Sequence, residues 1–229
     1  MVLAAGRGVR MRPLTDRTPK PLLRVGGEPL IVHHLRSLQS IGVRDVLINI
    51  CWLGDQIREV LGDGKRFGLR IVYSPEPEGA LETGGGIFRA LSWLGQGPFL
   101  VINGDVWVEG LASWWQSLTM CEGDEGALML VPSPSWKERH DFALTEDARV
   151  RRIDPKYTYA GVACLCAGLF RRIDVCGFSG RSRFPLAPLL FDAARDDRLS
   201  GALHRYPWSD VGTPQRLAEL AREFGERQP

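Results

Sequence analysis

Over the first 105 residues, apolar runs rich in β-branched side chains alternate with segments of helical spacing, and this alternation constrains the fold more than any other feature. Residues 2–5 are a short apolar run ending at Gly6, which reads as a buried strand entering a loop. Leu30, His33, His34, Leu35 and Leu38 carry the helical period across residues 29–41, and Gly42 closes it. Residues 43–50 read as a strand, 54–61 as a short helix closed by Gly62, and 69–73 as a strand. Residues 82–94 follow as a helix and 98–103 as a fourth apolar strand, ended by Gly104-Asp105. Strand, helix, strand, helix in this order predicts an α/β fold: a mostly parallel central sheet with helices on both faces. Ligands of such sheets bind outside the carboxyl ends of the strands. Three polar features fall there: the loop after the first strand, the loop after Tyr73, and Asp105.

The second half is less regular. Residues 127–131 and 161–165 read as strands, 185–194 as a helix that tolerates Pro188 only in its first turn, and 202–206 as a further strand. Thr213-Pro214 supplies a cap and a first-turn proline for a last helix reaching about Phe224. No repeat, linker or low-complexity tract interrupts the 229 residues, so one domain is the simplest organisation. With 44% apolar residues, 29 basic side chains against 27 acidic ones and a net charge of +2, the chain is neither a disordered tail nor a dominant nucleic-acid surface. Its longest apolar stretch, residues 160–170, is about half the ~20 residues of a membrane-spanning helix. The start carries no basic leader. Neither nucleic acid nor membrane is expected as a partner. Cys51, Cys121, Cys164, Cys166 and Cys176 contain no C-x-x-C pair. They are expected to be buried, reduced thiols of a cytoplasmic protein rather than zinc ligands or disulfides.

The loop after the first strand reads Gly6-Arg7-Gly8-Val9-Arg10-Met11-Arg12-Pro13-Leu14-Thr15 and continues through Thr18-Pro19-Lys20-Pro21. Two glycines let the backbone turn and bring N–H groups close to an anion. Arg7, Arg10, Arg12 and Lys20 add positive charge, and Arg can grip phosphate through two parallel bonds. Met11 stands where a dinucleotide-binding fingerprint needs its third Gly, and no Gly-Lys-Ser/Thr follows as in a Walker loop. The loop is expected to hold phosphate; a solvated basic turn is the plain alternative.

Leu3-Ala4-Ala5-Gly6-x-Gly8-x-Arg10-Met11-x-Pro13-Leu14-Thr15, followed by Pro19-Lys20-Pro21, resembles the signature of the sugar-phosphate nucleotidyltransferases. Tyr73-Ser74-Pro75-Glu76, Leu81-Glu82-Thr83-Gly84-Gly85-Gly86, Asn103-Gly104-Asp105-Val106-Trp107 and Trp208-Ser209-Asp210-Val211-Gly212-Thr213 extend the resemblance over nearly the whole chain. They are similar to the family's cell-wall recycling branch. The resemblance implies a single-domain Rossmann-like fold over residues 1–229. A nucleotide-binding part would take about 1–108, a sugar-phosphate part about 109–212 and a last helix 213–225. It also implies Mg²⁺-dependent transfer, in which a sugar 1-phosphate attacks a nucleoside triphosphate and expels pyrophosphate. The branch favours UTP and N-acetylmuramate 1-phosphate. Guanylyl transfer to mannose 1-phosphate or thymidylyl transfer to glucose 1-phosphate is the nearest alternative. A non-catalytic nucleotide-binding regulatory module is the alternative of another class.

Residue roles follow from the resemblance. A carboxylate after an apolar strand is a hard oxygen ligand suited to Mg²⁺, which gives Asp105 that role over a plain strand-end turn. Asp210 maps onto the family's second metal carboxylate. Arg10, Lys20 and Asp105 are the expected catalytic residues, with Arg10 on the triphosphate and Lys20 bridging the phosphates of both substrates. The attacking phosphate is already ionised near neutral pH, so no strong general base is required. Leu3, Ala4, Ala5, Gly6 and Gly8, together with Glu82, Thr83, Gly84 and Gly85, are expected to bind the nucleotide, the glycines keeping side chains clear of the base. Asp141, Tyr159 and Gly161 are expected in the sugar site, although a solvated turn fits His140-Asp141-Phe142 equally well. Phe184-Pro185-Leu186-Ala187-Pro188 resembles the family's Phe-x-Leu-x-Pro helix start. Trp114-Trp115 reads as packing, and a monomer is favoured.

Overall fold

The structure is a computed structural model that describes residues 1–77, 80–171 and 183–226. Two compact units divide the chain: residues 1–80, 102–112 and 207–229 make the first, and residues 81–101 and 113–206 the second.

The first unit opens with β1 (Val2–Leu3), the hairpin β2 (Arg24–Val25) and β3 (Glu28–Pro29), and α1 (Leu30–Ser40). β4 (Asp45–Ile50), α2 (Gly54–Leu61) and β5 (Arg70–Pro75) follow, and the unit also takes the end of β6 (Phe99–Asn103) and β7 (Val106–Val108). Parallel pairing orders the strands β6-β1-β4-β5, with Val2 opposite Ile48 on one side and Ile102 on the other. β1 is shorter than the apolar run that predicts it, because the Ala4 N–H leaves the ladder for the Asn49 side chain. α1 buries Leu30, Ile31, Leu35 and Leu38, the stripe its periodicity announces. β7 pairs antiparallel with the strand Trp208–Asp210, setting Asp210 opposite Val106. The helix Pro214–Glu226 then closes one core cluster around Met11, Val25, Leu30, Trp107 and Val211, with the Phe224 ring edge-on to Trp107 at 5.0 Å. Met11, which stands in the place of a glycine in other nucleotide loops, is therefore a core side chain.

The second unit contains α3 (Glu82–Leu94), β8 (Gly126–Pro132), the hairpin β9 (Ala143–Leu144) and β10 (Val150–Arg151), β11 (Tyr157–Leu165) and β12 (Leu199–Leu203). β12 runs parallel and β11 antiparallel to β8. The helix Ala187–Arg195 has Pro188 in its first turn, as expected. β11 starts four residues before the apolar run 161–165, and β12 lies earlier than the predicted 202–206, because Ser200 and Gly201 mask its start. Arg149 ties β12 to its neighbours: it pairs with Asp124 at 2.8 Å and with Asp197 at 2.9 Å, and donates to Ser200 Oγ at 2.9 Å.

The fold is α/β with a mostly parallel central sheet, as the alternation predicts. No described helix is long and apolar enough to cross a membrane. The expectation of uniformly buried cysteines is corrected. Cys164 is buried, Cys51 and Cys166 are partly exposed, and Cys121 is exposed in a turn; all four are free thiols. Cys176 lies outside the described residues. Trp114 is buried, whereas Trp115 next to it is 38% exposed.

Candidate active site

The first loop is built from three short 3₁₀ turns, Val9–Met11, Leu14–Asp16 and Lys20–Leu22. Gly8 sits at φ +65° and ψ 38°, and a Cβ added there would lie 2.9 Å from Thr15 Cγ2. Only glycine combines that left-handed backbone with the absence of a side chain. The Gly8 carbonyl accepts from the Met11 N–H and from Thr15 Oγ1, both at 2.8 Å, which fixes the curl of the loop.

The loop cations Arg7, Arg10, Arg12 and Lys20 are not equivalent. Arg10 is exposed and makes no ion pair or hydrogen bond among the described residues. The Arg7 guanidinium lies 4.5 Å over the Trp52 ring. Arg12 is paired with Asp16 at 2.6 Å, so its charge is locally compensated. Lys20 is buried, and its Nζ donates to Asp105 Oδ2 at 2.8 Å.

Asp105 is placed by the glycine before it. The Gly104 N–H donates to the Leu3 carbonyl at 2.8 Å, and a Cβ on Gly104 would stand 2.5 Å from that same oxygen. The Val211 N–H donates to the Asp105 carbonyl at 2.8 Å, which brings Asp210 onto the neighbouring strand. Asp210 Oδ2 accepts from Arg216 Nη1 at 2.7 Å. A helix-cap role for Asp210 is unnecessary, since Thr213 Oγ1 takes the Arg216 N–H at 3.3 Å. Leu3, Ala4, Ala5, Gly6 and Gly8 thus share the first unit with Arg10, Lys20, Asp105 and Asp210.

Asp105 and Asp210 each face one fixed cation, and both offer hard carboxylate oxygens. That donor set suits Mg²⁺, which takes one or two carboxylates and completes its shell with water and phosphate oxygens. Among the described residues no cluster of three or more His, Cys, Asp or Glu forms a closed metal cage. The residues present fit an open Mg²⁺ site and do not fit a structural zinc.

Asn49 and His34 escape the motif reading, and Glu76, quoted only as the end of Tyr73-Ser74-Pro75-Glu76, receives no role from it. Asn49 accepts from the Ala4 N–H at 2.7 Å and donates through Nδ2 to Glu76 Oε1 at 2.7 Å. The Glu76 N–H in turn donates to the Ile50 carbonyl at 2.8 Å. A buried amide and carboxylate therefore hold the start of the first loop. The signal in the sequence is a lone polar residue inside the apolar run of residues 46–50. His34, on α1, is buried beside the Val106 backbone, and its Nε2 has no hydrogen-bond partner among the described residues. Burial, together with the charge of His33, pushes its pKa down to about 4, so it is neutral.

The other candidates belong to the second unit. Glu82 opens α3 at φ +61°, a left-handed conformation unusual for a side chain of this kind, and pairs with Arg183 at 3.0 Å. Thr83 Oγ1 accepts from the Leu186 N–H at 2.9 Å, and the Gly85 N–H donates to the Phe184 carbonyl at 3.0 Å. Residues 81–86 and 184–188, two motifs a hundred residues apart, are thereby laced together. A Cβ on Gly84 would lie 2.5 Å from the Phe184 ring. The position a Gly84 side chain would take is thus filled by Phe184.

Gly161, at φ +78°, occupies the bulge where the β11–β8 register shifts between Tyr159 and Ala163. Asp141 Oδ2 accepts from the Tyr159 N–H at 2.9 Å and from Lys137 Nζ at 2.5 Å. Asp141, Tyr159 and Gly161 are therefore neighbours on one bulged strand and the loop fastened to it. The Tyr159 hydroxyl is buried and finds no partner among the described residues, and burial raises its pKa. Phe142 is core, packed against Phe191 at 5.5 Å, while His140 is exposed.

Comparisons with known proteins give the family. A family model described as the MobA-like NTP transferase domain matches residues 1–154. A protein of Neisseria meningitidis serogroup B named N-acetylmuramate alpha-1-phosphate uridylyltransferase is 45% identical over 227 residues, covering 96% of this chain and 95% of its own length. A protein of the same name from Caulobacter vibrioides is 36% identical over 240 residues, covering 97% and 94%. The structure of the inositol-1-phosphate CTP transferase from T. maritima has the same fold, with a TM-score of 0.78 at 20% identity over 99% of this chain and 95% of that one. With a family model matching residues 1–154 and relatives matched over nearly their whole length, the chain belongs to the MobA-like NTP transferase family, as a sugar-1-phosphate nucleotidyltransferase.

Proposed function

We propose that this enzyme transfers the uridylyl group of UTP to N-acetylmuramate 1-phosphate, with Mg²⁺, in cytoplasmic recycling of cell-wall sugars. The observation that carries the substrate pair is the near full-length identity to two proteins bearing that name. The free thiols at Cys51, Cys121, Cys164 and Cys166 fit a reducing compartment. A phosphate oxygen of the sugar 1-phosphate attacks the α-phosphorus of UTP. A new P–O bond forms, the bond to the bridging β-phosphate oxygen breaks, and pyrophosphate leaves with that electron pair.

In this reading the exposed Arg10 meets the triphosphate, and the left-handed Gly8 keeps the loop backbone open to it. Lys20 is held by Asp105 close to the strand ends and supplies a fixed positive charge to the phosphates. Asp105 and Asp210 would hold Mg²⁺, which when bound neutralises and orients the triphosphate. Leu3 to Gly6 read the nucleotide through backbone groups, with Glu82, Thr83, Gly84 and Gly85 in the roles the resemblance gives them. Asp141, Tyr159 and Gly161 are assigned to the sugar. The buried Tyr159 hydroxyl supports this as a polar group awaiting a partner.

The test is a panel of four nucleoside triphosphates against several sugar 1-phosphates, read by pyrophosphate release. UTP with N-acetylmuramate 1-phosphate should give the highest kcat/KM; another pair in that position would replace the substrate assignment. A blank panel with UTP still bound would favour a regulatory module. Asp105→Asn should lower turnover by about 10²–10³-fold, the usual loss when one electrostatic group is removed. Full activity in that variant would sink the metal assignment.

A further inference from the structure

A groove of about 660 Å³ runs along the outer side of α1 in the first unit, and the catalytic reading leaves it unused. Val32, Arg36 and Gln39 line it at helical spacing, whereas His34 on another side of the helix meets the Val106 backbone. Arg24 enters from the β2–β3 hairpin and Arg66 from the turn before β5. None of the lining residues belongs to the Gly6–Lys20 loop or is Asp105 or Asp210.

Three guanidinium groups converge on this groove. Each is oriented by a single hydrogen bond. Arg24 Nη1 donates to the Gly27 carbonyl at 2.6 Å, Arg36 Nη2 to Glu28 Oε1 at 2.5 Å, and Arg66 Nη2 to the Val60 carbonyl at 2.5 Å. The Arg66 group also lies 4.5 Å over the Phe67 ring, which restricts it further. Among the described residues only Arg36 is seen to spend its bond on a carboxylate, and Arg24 and Arg66 donate to carbonyls, which carry no charge to offset theirs. A guanidinium has five N–H donors, and one bond apiece leaves most of them to present. Arginines pre-oriented in this way match phosphate oxygens through paired bonds.

Size and lining narrow the ligand. The volume falls within the range of about 300–1,000 Å³ typical of small-molecule sites, several times the size of a bare phosphate. Pro29, Val32, Val60 and Phe67 add apolar wall that an inorganic ion would not use. We propose that this groove is a second anion site, separate from the catalytic one, that takes a nucleoside diphosphate or a molecule built on one. The phosphates meet Arg24, Arg36 and Arg66, and the organic part lies against Val32 and Val60.

The test is calorimetric titration of the full chain with UDP and, separately, with inorganic pyrophosphate, at two salt concentrations. Wild type should bind two equivalents of UDP. The Arg24→Ala/Arg36→Ala/Arg66→Ala variant should lose one of them, or bind it about tenfold or more weakly, given the strength of charge-assisted bonds. Its rate of pyrophosphate release should stay near wild type, because none of the three serves the catalytic machinery. Arg36→Glu alone should weaken the same equivalent, and the Gly27 and Gly68 amide resonances should shift with UDP in wild type only. The affected equivalent should weaken as salt rises. A single equivalent, identical in wild type and variant, would overturn the proposal, and pyrophosphate binding as tightly as UDP would overturn its organic part. These outcomes are independent of turnover: failure of the catalytic reading would abolish pyrophosphate release but leave the arginine-dependent equivalent in place.

Discussion

At Gly104 the backbone carries the chemistry forward. Its N–H and the Leu3 carbonyl are bonded so closely that a methyl group would stand 2.5 Å from the oxygen, and a carbonyl in a parallel sheet has little room to retreat. Gly104→Ala should therefore cost about 1–3 kcal/mol in a urea titration, the range for forcing atoms into packed space. It should also displace Asp105, and a misplacement of about 1 Å can cost on the order of 10² in rate. Unchanged stability and rate would show that the strand end yields. His34 gives a second residue-level prediction. Its pKa is about 4 in the folded chain, against an ordinary value of 6.5. Between these values the unfolded chain binds a proton that the folded one refuses. This contribution to stability is complete above 6.5 and is lost as pH falls toward 4. Over that window the loss approaches about 3 kcal/mol at about 1.4 kcal/mol per pKa unit. A His34→Leu variant, compared with wild type by denaturation across this range, should be the less sensitive to pH. Parallel curves for the two proteins would refute the assignment of that slope to His34.

Among the elements, β12 depends on one arginine. Arg149 reaches it from the start of β10 and pairs with Asp124, whose side chain is 2% exposed, while Ser200 of β12 also donates to Asp124. Burial alone would push the Asp124 carboxyl up, but the bonds from Arg149 and Ser200 outweigh it and hold it below the ordinary value. Arg149→Met should destabilise the fold by about 3–5 kcal/mol, since it strands a buried carboxylate. Adding Asp124→Asn should restore part of that loss, and a double variant no better than the single one would contradict the explanation. This network also marks where sequence reading stops. α1, α2, α3 and the parallel strands are legible because hydrophobic period is a local property, and their boundaries fall within two residues of the structure in most cases. β7 and its partner Trp208–Asp210 are three residues each and a hundred residues apart, so neither has a period to read. Their pairing is nonetheless what sets Asp210 beside the Asp105 backbone. The first loop is legible from its glycines and cations, but the Asn49–Glu76 bond beneath it is not, since one Asn in an apolar strand does not disclose what it bonds. The partition of loop charge is equally hidden: nothing in the residue string separates Arg12, spent on Asp16, from Arg10, spent on nothing described.

For the molecule as a whole, a net charge of +2 conceals an arrangement in which the first unit gathers an uncompensated Arg10, a buried Lys20 and two strand-end carboxylates. Asp105 and Asp210 are paired with Lys20 and Arg216, and on the proposed reading Mg²⁺ would compete with those cations for the carboxylates while a triphosphate would compete with the carboxylates for Lys20. Binding to the folded chain alone must then appear as global stability. UTP at about 100 times its Kd should add about 2.7 kcal/mol. For a chain of this length that corresponds to a rise of about 5–10 °C in Tm. Because two carboxylates near a polyphosphate repel it until a divalent cation intervenes, most of the rise should require Mg²⁺. Asp105→Asn removes one of those charges and, on the proposed reading, one group that would hold Mg²⁺, so the variant should respond to UTP nearly alike with and without Mg²⁺. Thermal unfolding of wild type and variant in the four combinations of UTP and Mg²⁺ measures this without any turnover. A wild-type rise that is equally large in the presence of a chelator would mean that Arg10 and Lys20 hold the triphosphate unaided, and that Asp105 serves only to position Lys20.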